Sequence, residues 1–209
     1  MAVKTQKIQY NQLPRPTFRW MKVNHLELDP LKAQALPAYT PEERHDGEAA
    51  VAFYEGNQIV GLNDFQGSNA EELQKALNQA NSGCAVSVGE NQKGSVHLKY
   101  SLGADMPQLT AQLKIEAAAH SDLTVYLEFD GDAEDGSVNF LTFVKTGEGA
   151  HVKISKVQLN GEHVRHVEHR YGDAGKESTI DHVSAELGGK AAIVYYKTDP
   201  MQDERNFNS

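Results

Sequence analysis

The chain has 209 residues, of which 39% are hydrophobic and 23% charged, and its 20 Lys and Arg against 29 Asp and Glu leave a formal charge of −9. That much apolar content at this length builds a real core and excludes disorder as the main state. The acidic balance, with no Lys/Arg cluster, excludes a general nucleic-acid binder, and apolar runs such as Ala49–Tyr54 fall far short of the ~18 residues a membrane helix needs.

Met1 to Lys7 is basic with no apolar core behind it, so it is no secretory signal. Cys84 is the only cysteine, which excludes an internal disulfide and any site needing several thiolates from this chain. No Asn-x-Ser/Thr acceptor occurs either, and together these features predict a cytoplasmic protein.

In chain order, Pro14 and Pro16 forbid a regular start, and a short helix after Pro16 would place Phe18, Met21 and Leu28 on one side. Pro30, Pro37 and Pro41 predict loop from Leu31 to Asp46. Ala49–Tyr54 and Gln58–Leu62 bracket Glu55-Gly56-Asn57, a hairpin pattern. Ser68-Asn-Ala-Glu71 has capping-box spacing ahead of Leu73, Ala76, Leu77 and Ala80, so a helix is predicted there, closed by Gly83.

From about Ala85 the period changes to two. Leu109, Ala111, Leu113, Ile115 and Ala117 alternate with polar residues, as do Leu123, Val125, Leu127 and Phe129, so one face is expected on a core and the other in water. Predicted strands start at 109, 123, 138, 151, 164, 179 and 191, in steps of 12 to 15 residues punctuated by glycine-bearing turns. Two steps per coil make about 27 residues, within the usual repeat range. The spacing admits a β-sandwich or a stacked solenoid, and no helical pattern interrupts it to allow a doubly wound α/β fold.

The densest polar cluster is His163-Val-Arg-His166-Val-Glu168-His169. In a strand His163 and His169 share one face and His166 and Glu168 the other, which argues against a metal site and for solvated strand histidines. Asp130, Asp132, Glu134 and Asp135 resemble a calcium loop but lack Gly at its sixth position and Glu at its twelfth, where Leu141 stands, so a solvated acidic turn is expected. Cys84 has no His or Lys within four residues and reads as a buried structural thiol. No nucleophile elbow, phosphate loop or His-Glu-x-x-His motif occurs. No residue is assigned a catalytic, cofactor-binding or metal-binding role.

Three groups of segments, in order, carry a family resemblance. Leu13-Pro-Arg-Pro-Thr-Phe-Arg-Trp20-Met-Lys-Val-Asn24 resembles the opening of SufD-type proteins. His120-Ser-Asp-Leu-Thr-Val125, Thr146 to Gln158 and Ile180 to Gly189 resemble the SufB/SufD core. The resemblance implies a right-handed parallel β-helix over 85–209 with an N-terminal mixed α/β cap over 1–84. It implies a non-catalytic scaffold subunit of a SUF-type iron–sulfur cluster assembly complex, partnered by a SufB-like subunit and a SufC-like ATPase. It also implies a chain about half the family's length, without the helices that dock the ATPase or the family's histidine and cysteine positions, so that no cofactor belongs to this chain alone. A final coil at Ala191–Tyr196, with Ile193 and Tyr195 ending the core, would then self-associate, as a homodimer or larger. Two other readings use other residues: a β-solenoid enzyme on acidic polysaccharide with Asp130, Asp132 and Asp135, and a cupin-like metal enzyme with His163, His166 and Glu168.

Overall fold

The computed structural model describes residues 7–10, 26–30, 36–62 and 64–200. Its elements are β1 (Ile8–Tyr10), β2 (Leu26–Leu28), β3 (Glu42–Gly47), β4 (Ala50–Tyr54), α1 (Ala70–Asn78), β5 (Ser82–Val88) and β6 (Lys93–Leu102). There follow β7 (Gln108–Ala117), β8 (Asp122–Gly131), β9 (Ser137–Thr146), β10 (His151–Gln158), β11 (Arg165–Ala174), β12 (Thr179–Glu186) and β13 (Ala191–Pro200). The helix expected after Pro16 lies outside the described residues apart from Leu28, which is in β2.

Alternating apolar residues from 108 onward produce strands that begin within one residue of the expected positions. The chain visits two sheets in turn, one ordered β13-β11-β9-β7-β5-β4 and the other β12-β10-β8-β6-β3. All pairings from β5 to β13 are parallel. Gln108 lies opposite Ser137 and Arg165 opposite Ala191, so a coil takes 29 residues early and 26 late. Parallel partners one coil apart make this a β-helix, wound right-handed as parallel crossovers are, and exclude the sandwich.

The interior of the first coils is apolar. Val96, Leu98, Leu113, Val125 and Leu127 are buried around stacked Tyr100 and Phe129, 5.2 Å apart, with Phe140 edge-on to both. At the turns joining the two sheets, Asn91, His120, Gly149 and Glu177 stack in successive coils, with φ of +59°, +56°, +61° and +56°. This left-handed conformation suits glycine and strains other residues by roughly 1–2 kcal/mol. Glu177→Gly is therefore expected to stabilise the fold by about 0.5 kcal/mol after the unfolded-state cost of glycine, read as a higher urea midpoint at unchanged slope.

The chain enters the solenoid through two antiparallel strands. β3 lies on β6 and β4 on β5, covering the leading edge of each sheet. These pairings replace two expectations. Glu42–Gly47 is strand rather than loop, and Ala50–Tyr54 pairs with β5 instead of forming a hairpin with 58–62, where Ile59 buries itself under the helix.

Helix α1 forms where the stripe predicted it. Its cap is Asn69, one residue later than expected, whose side chain accepts the N–H of Glu72 at 3.0 Å. It ends at Asn78, and Gly83 belongs to β5. Leu73 and Ala76 pack with Ile59 and Phe65 onto Leu141, Phe143 and Tyr171, on the outside of β9 and β11. His169, on this face of β11, was expected in water. An amphipathic helix laid across this face makes β9 buried on both faces.

Candidate functional site

Inside the third and fourth coils the interior turns from apolar to charged. β10 points Lys156 inward, β11 points His166, Glu168 and Arg170 inward, and β12 adds Ser184 and Glu186. The Glu168 carboxylate, wholly buried, takes Lys156, His166 Nε2 at 2.5 Å and Arg170 Nε at 2.7 Å. Lys156 Nζ also reaches Glu186 at 2.5 Å, and Arg170 Nη1 donates to Ser184 Oγ at 3.1 Å. Two cations face two carboxylates, so the network carries no net charge while His166 is neutral.

Burial raises the pKa of Glu168, but Arg170, His166 and Lys156 together hold its carboxyl well below the ordinary value. Burial pushes His166 down against the pull of Glu168. Its Nδ1 then accepts from Asn160 Nδ2 at 3.1 Å and its Nε2–H donates to Glu168. A buried pair with good geometry and extra hydrogen bonds is specific in register. This one ties three strands across both sheets.

His169, on the other face of β11, is equally buried. Its Nδ1 accepts from the Ser68 N–H at 3.1 Å and its Nε2–H donates to Asn139 Oδ1 at 3.1 Å. Asn139 in turn donates to the Glu72 carbonyl at 2.8 Å. Burial lowers the His169 pKa to about 3, so the ring is a neutral pin holding the helix to the solenoid. The expectation of solvated strand histidines is thus corrected for His166 and His169. Alternation did separate their faces, but one faces a lumen and the other lies under a helix. His163 precedes the strand, exposed in a turn and paired with Asp132 at 3.1 Å. Lys156 and Arg170, the cations that make the network, carried no signal in the sequence, where each is one charge in an alternating strand.

The other readings need groups that do not converge. His163 is outside the solenoid while His166 and Glu168 are inside and spent on each other, which leaves no three-ligand face for a cupin-like metal centre. Asp130 is held by Lys99 at 2.7 Å and Asp132 by His163, as in a solvated acidic turn. Among the described residues no three His, Cys, Asp or Glu side chains cluster as a metal site. Cys84 sits in the apolar core of the first coil, where burial pushes its thiol up to about 12. A protonated, enclosed thiol is a poor cluster ligand, and the described residues do not fit an iron–sulfur cluster.

Among the described residues no helix is long and apolar enough to cross a membrane. A family model described as the SufBD core domain of SUF system FeS cluster assembly matches residues 100–208, from β6 to beyond β13. No curated protein and no solved structure matches the chain.

Proposed function

The chain belongs to the SufBD core-domain family of SUF system FeS cluster assembly, and from that premise we propose that it acts there as a non-catalytic, SufD-like scaffold subunit in the cytoplasm. The observation that supports this most is the interior of the solenoid. Side chains that would do chemistry in an enzyme are turned inward and matched to one another, so that Glu168, Lys156, Arg170 and His166 serve register rather than a substrate.

In this reading the iron–sulfur cluster is cargo of an assembled complex, with a SufB-like subunit and a SufC-like ATPase as partners and ATP turnover belonging to the latter. Among the described residues β12 and β13 each have one strand edge unpaired, a surface on which a partner's strand can continue both sheets. Co-expression with a SufB-like and a SufC-like subunit, followed by pull-down, is expected to recover a complex. Failure to recover either partner would remove the scaffold role.

The chain alone is expected to take up no stoichiometric cluster on anaerobic reconstitution, and Cys84→Ser should leave its iron content and visible absorption unchanged. A cluster that forms on the isolated chain and is lost in Cys84→Ser would contradict the reading.

A further inference from the structure

The connection from β4 to β5 leaves the fold and returns to it at one place. Tyr54, the last residue of β4, lies directly opposite Gly83 in β5. Residues 55–62 and 64–80 run out between them over the outer face of β9 and β11, carrying α1. Among the described residues this strap makes no backbone-to-backbone hydrogen bond to any strand. It can therefore lift without breaking a ladder, and Gly56 at its root has φ of +76° with open space around it.

Side chains of the solenoid hold the strap instead, one from each of three successive coils. Gln112 of β7 donates to the Ala76 and Leu77 carbonyls at 2.8 and 3.1 Å, and Asn139 of β9 donates to the Glu72 carbonyl at 2.8 Å. His169 of β11 accepts the Ser68 N–H at 3.1 Å, with Ser68 Oγ 3.3 Å away. The amides hold their carbonyls at every pH, whereas the imidazole is an acceptor that titrates. Gly67 is pressed against the same ring: its φ is +62°, and a Cβ there would overlap His169 Nδ1.

No free carboxylate stands by to compensate a proton on that nitrogen. α1 brings Glu72, already paired with Lys75 at 2.9 Å, and β13 brings Lys197, paired with Asp199 at 2.9 Å. β11 brings Glu168 on its lumen face, held there by Lys156 and Arg170. β9 contributes the uncharged Asn139 and Leu141, and β1 brings Tyr10, whose hydroxyl burial keeps protonated. A proton on Nδ1 would set donor against donor at the Ser68 N–H.

We propose that residues 55–80 form a hinged strap that opens as a unit from the outer face of β9 and β11, with His169 as its proton-released latch. Lifting the strap bares Leu141, Phe143 and Tyr171 while the coils stay wound. Under the closed strap burial keeps the His169 pKa at about 3, and in the open one water returns it to about 6.5. Opening thus takes up one proton below pH 6.5, and its population grows about tenfold for each pH unit lost.

Hydrogen exchange of the full chain, read by mass spectrometry from pH 7 to 5 and corrected for the intrinsic amide rate, tests this. Amides of α1 are expected to exchange through an opening about tenfold or more above the one that releases β9 and β11. Their protection should fall about tenfold per pH unit below 6.5. His169→Gln supplies an acceptor that does not titrate. It should remove that dependence from α1, while β9 and β11 keep the part due to His166 and His182. Gly67→Ala should raise the opening at pH 7 about tenfold or more, with the strand signal in circular dichroism kept. Lys156→Met, inside the solenoid, should lower the protection of β9 and β11 and leave that of α1 unchanged. Equal protection of α1 and β9 at every pH would overturn the proposal, since the strap would then leave only when the whole chain unfolds. So would a pH slope in α1 that survives His169→Gln, a Gly67→Ala strap as closed as the wild type, or a Lys156→Met chain in which α1 and β9 lose protection alike.

Discussion

Glu168→Ala is expected to cost about 3–5 kcal/mol, the penalty for leaving buried charges without their counter-charge. The substitution leaves Arg170 without a carboxylate in a buried site, leaves Lys156 with Glu186 alone, and removes the acceptor of the His166 Nε2–H. A domain of this kind is stable by only ~5–15 kcal/mol, so the variant should unfold at markedly lower urea or be recovered as insoluble protein. Lys156→Met supplies the contrast. It leaves Glu168 with Arg170 and His166, while Glu186, which is partly exposed, turns to water. Its cost should be less than half that of Glu168→Ala. Equal costs would mean that the site is held by packing rather than by charge pairing.

The second large effect is acid lability. Burial holds His169 at about 3 and, with Arg170 adding to it, His182 at about 4, against the usual 6.5. Burial lowers His166 as well. The unfolded chain therefore binds protons below pH 6.5 that the folded chain refuses until about pH 4 or lower. Stability falls as pH drops through that window, by up to about 1.4 kcal/mol per pH unit for each histidine. Glu168 works in the same direction lower down. Its contribution is complete above 4.5 and is lost as pH falls below that. His163, raised by its hydrogen bond to Asp132, opposes the trend, but it is fully exposed and screened. His169 and His182 alone imply about 3 kcal/mol lost between pH 6.5 and 5. Urea unfolding at several pH values checks this, and His169→Gln should flatten the slope by about one histidine's share. A stability unchanged between pH 6.5 and 5 would show that these rings are not buried neutral in solution.

Several features of the fold are legible in the residues alone. Leu109 to Ala117 and Leu123 to Phe129 declare strands, their phase and their starting points, because alternation has only one way to sit on a pleated sheet. Steps of 12 to 15 residues give the coil length. The stripe Leu73, Ala76, Leu77 declares α1, though not whether Ser68 or Asn69 caps it, since either side chain can accept the orphan N–H. Ser68 is drawn away by His169, a residue 101 positions further along.

Local backbone geometry alone sets which residues share a face and how often the chain turns, so both can be read from the residues. What lies against each face depends on how distant segments pack. His169 reads as a solvated strand histidine, yet α1 and the segment before it cover it together with Asn139. Lys156 and Glu186 are single charges in their strands and carry no signal, and Glu168 reads as one member of a polar cluster. Lys156 and Glu168 are buried, with the partly exposed Glu186 beside them, because winding the chain into parallel coils brings the three together in one lumen. Burial of a charge depends on partners that arrive from other coils, and no local period records which coil will stack on which.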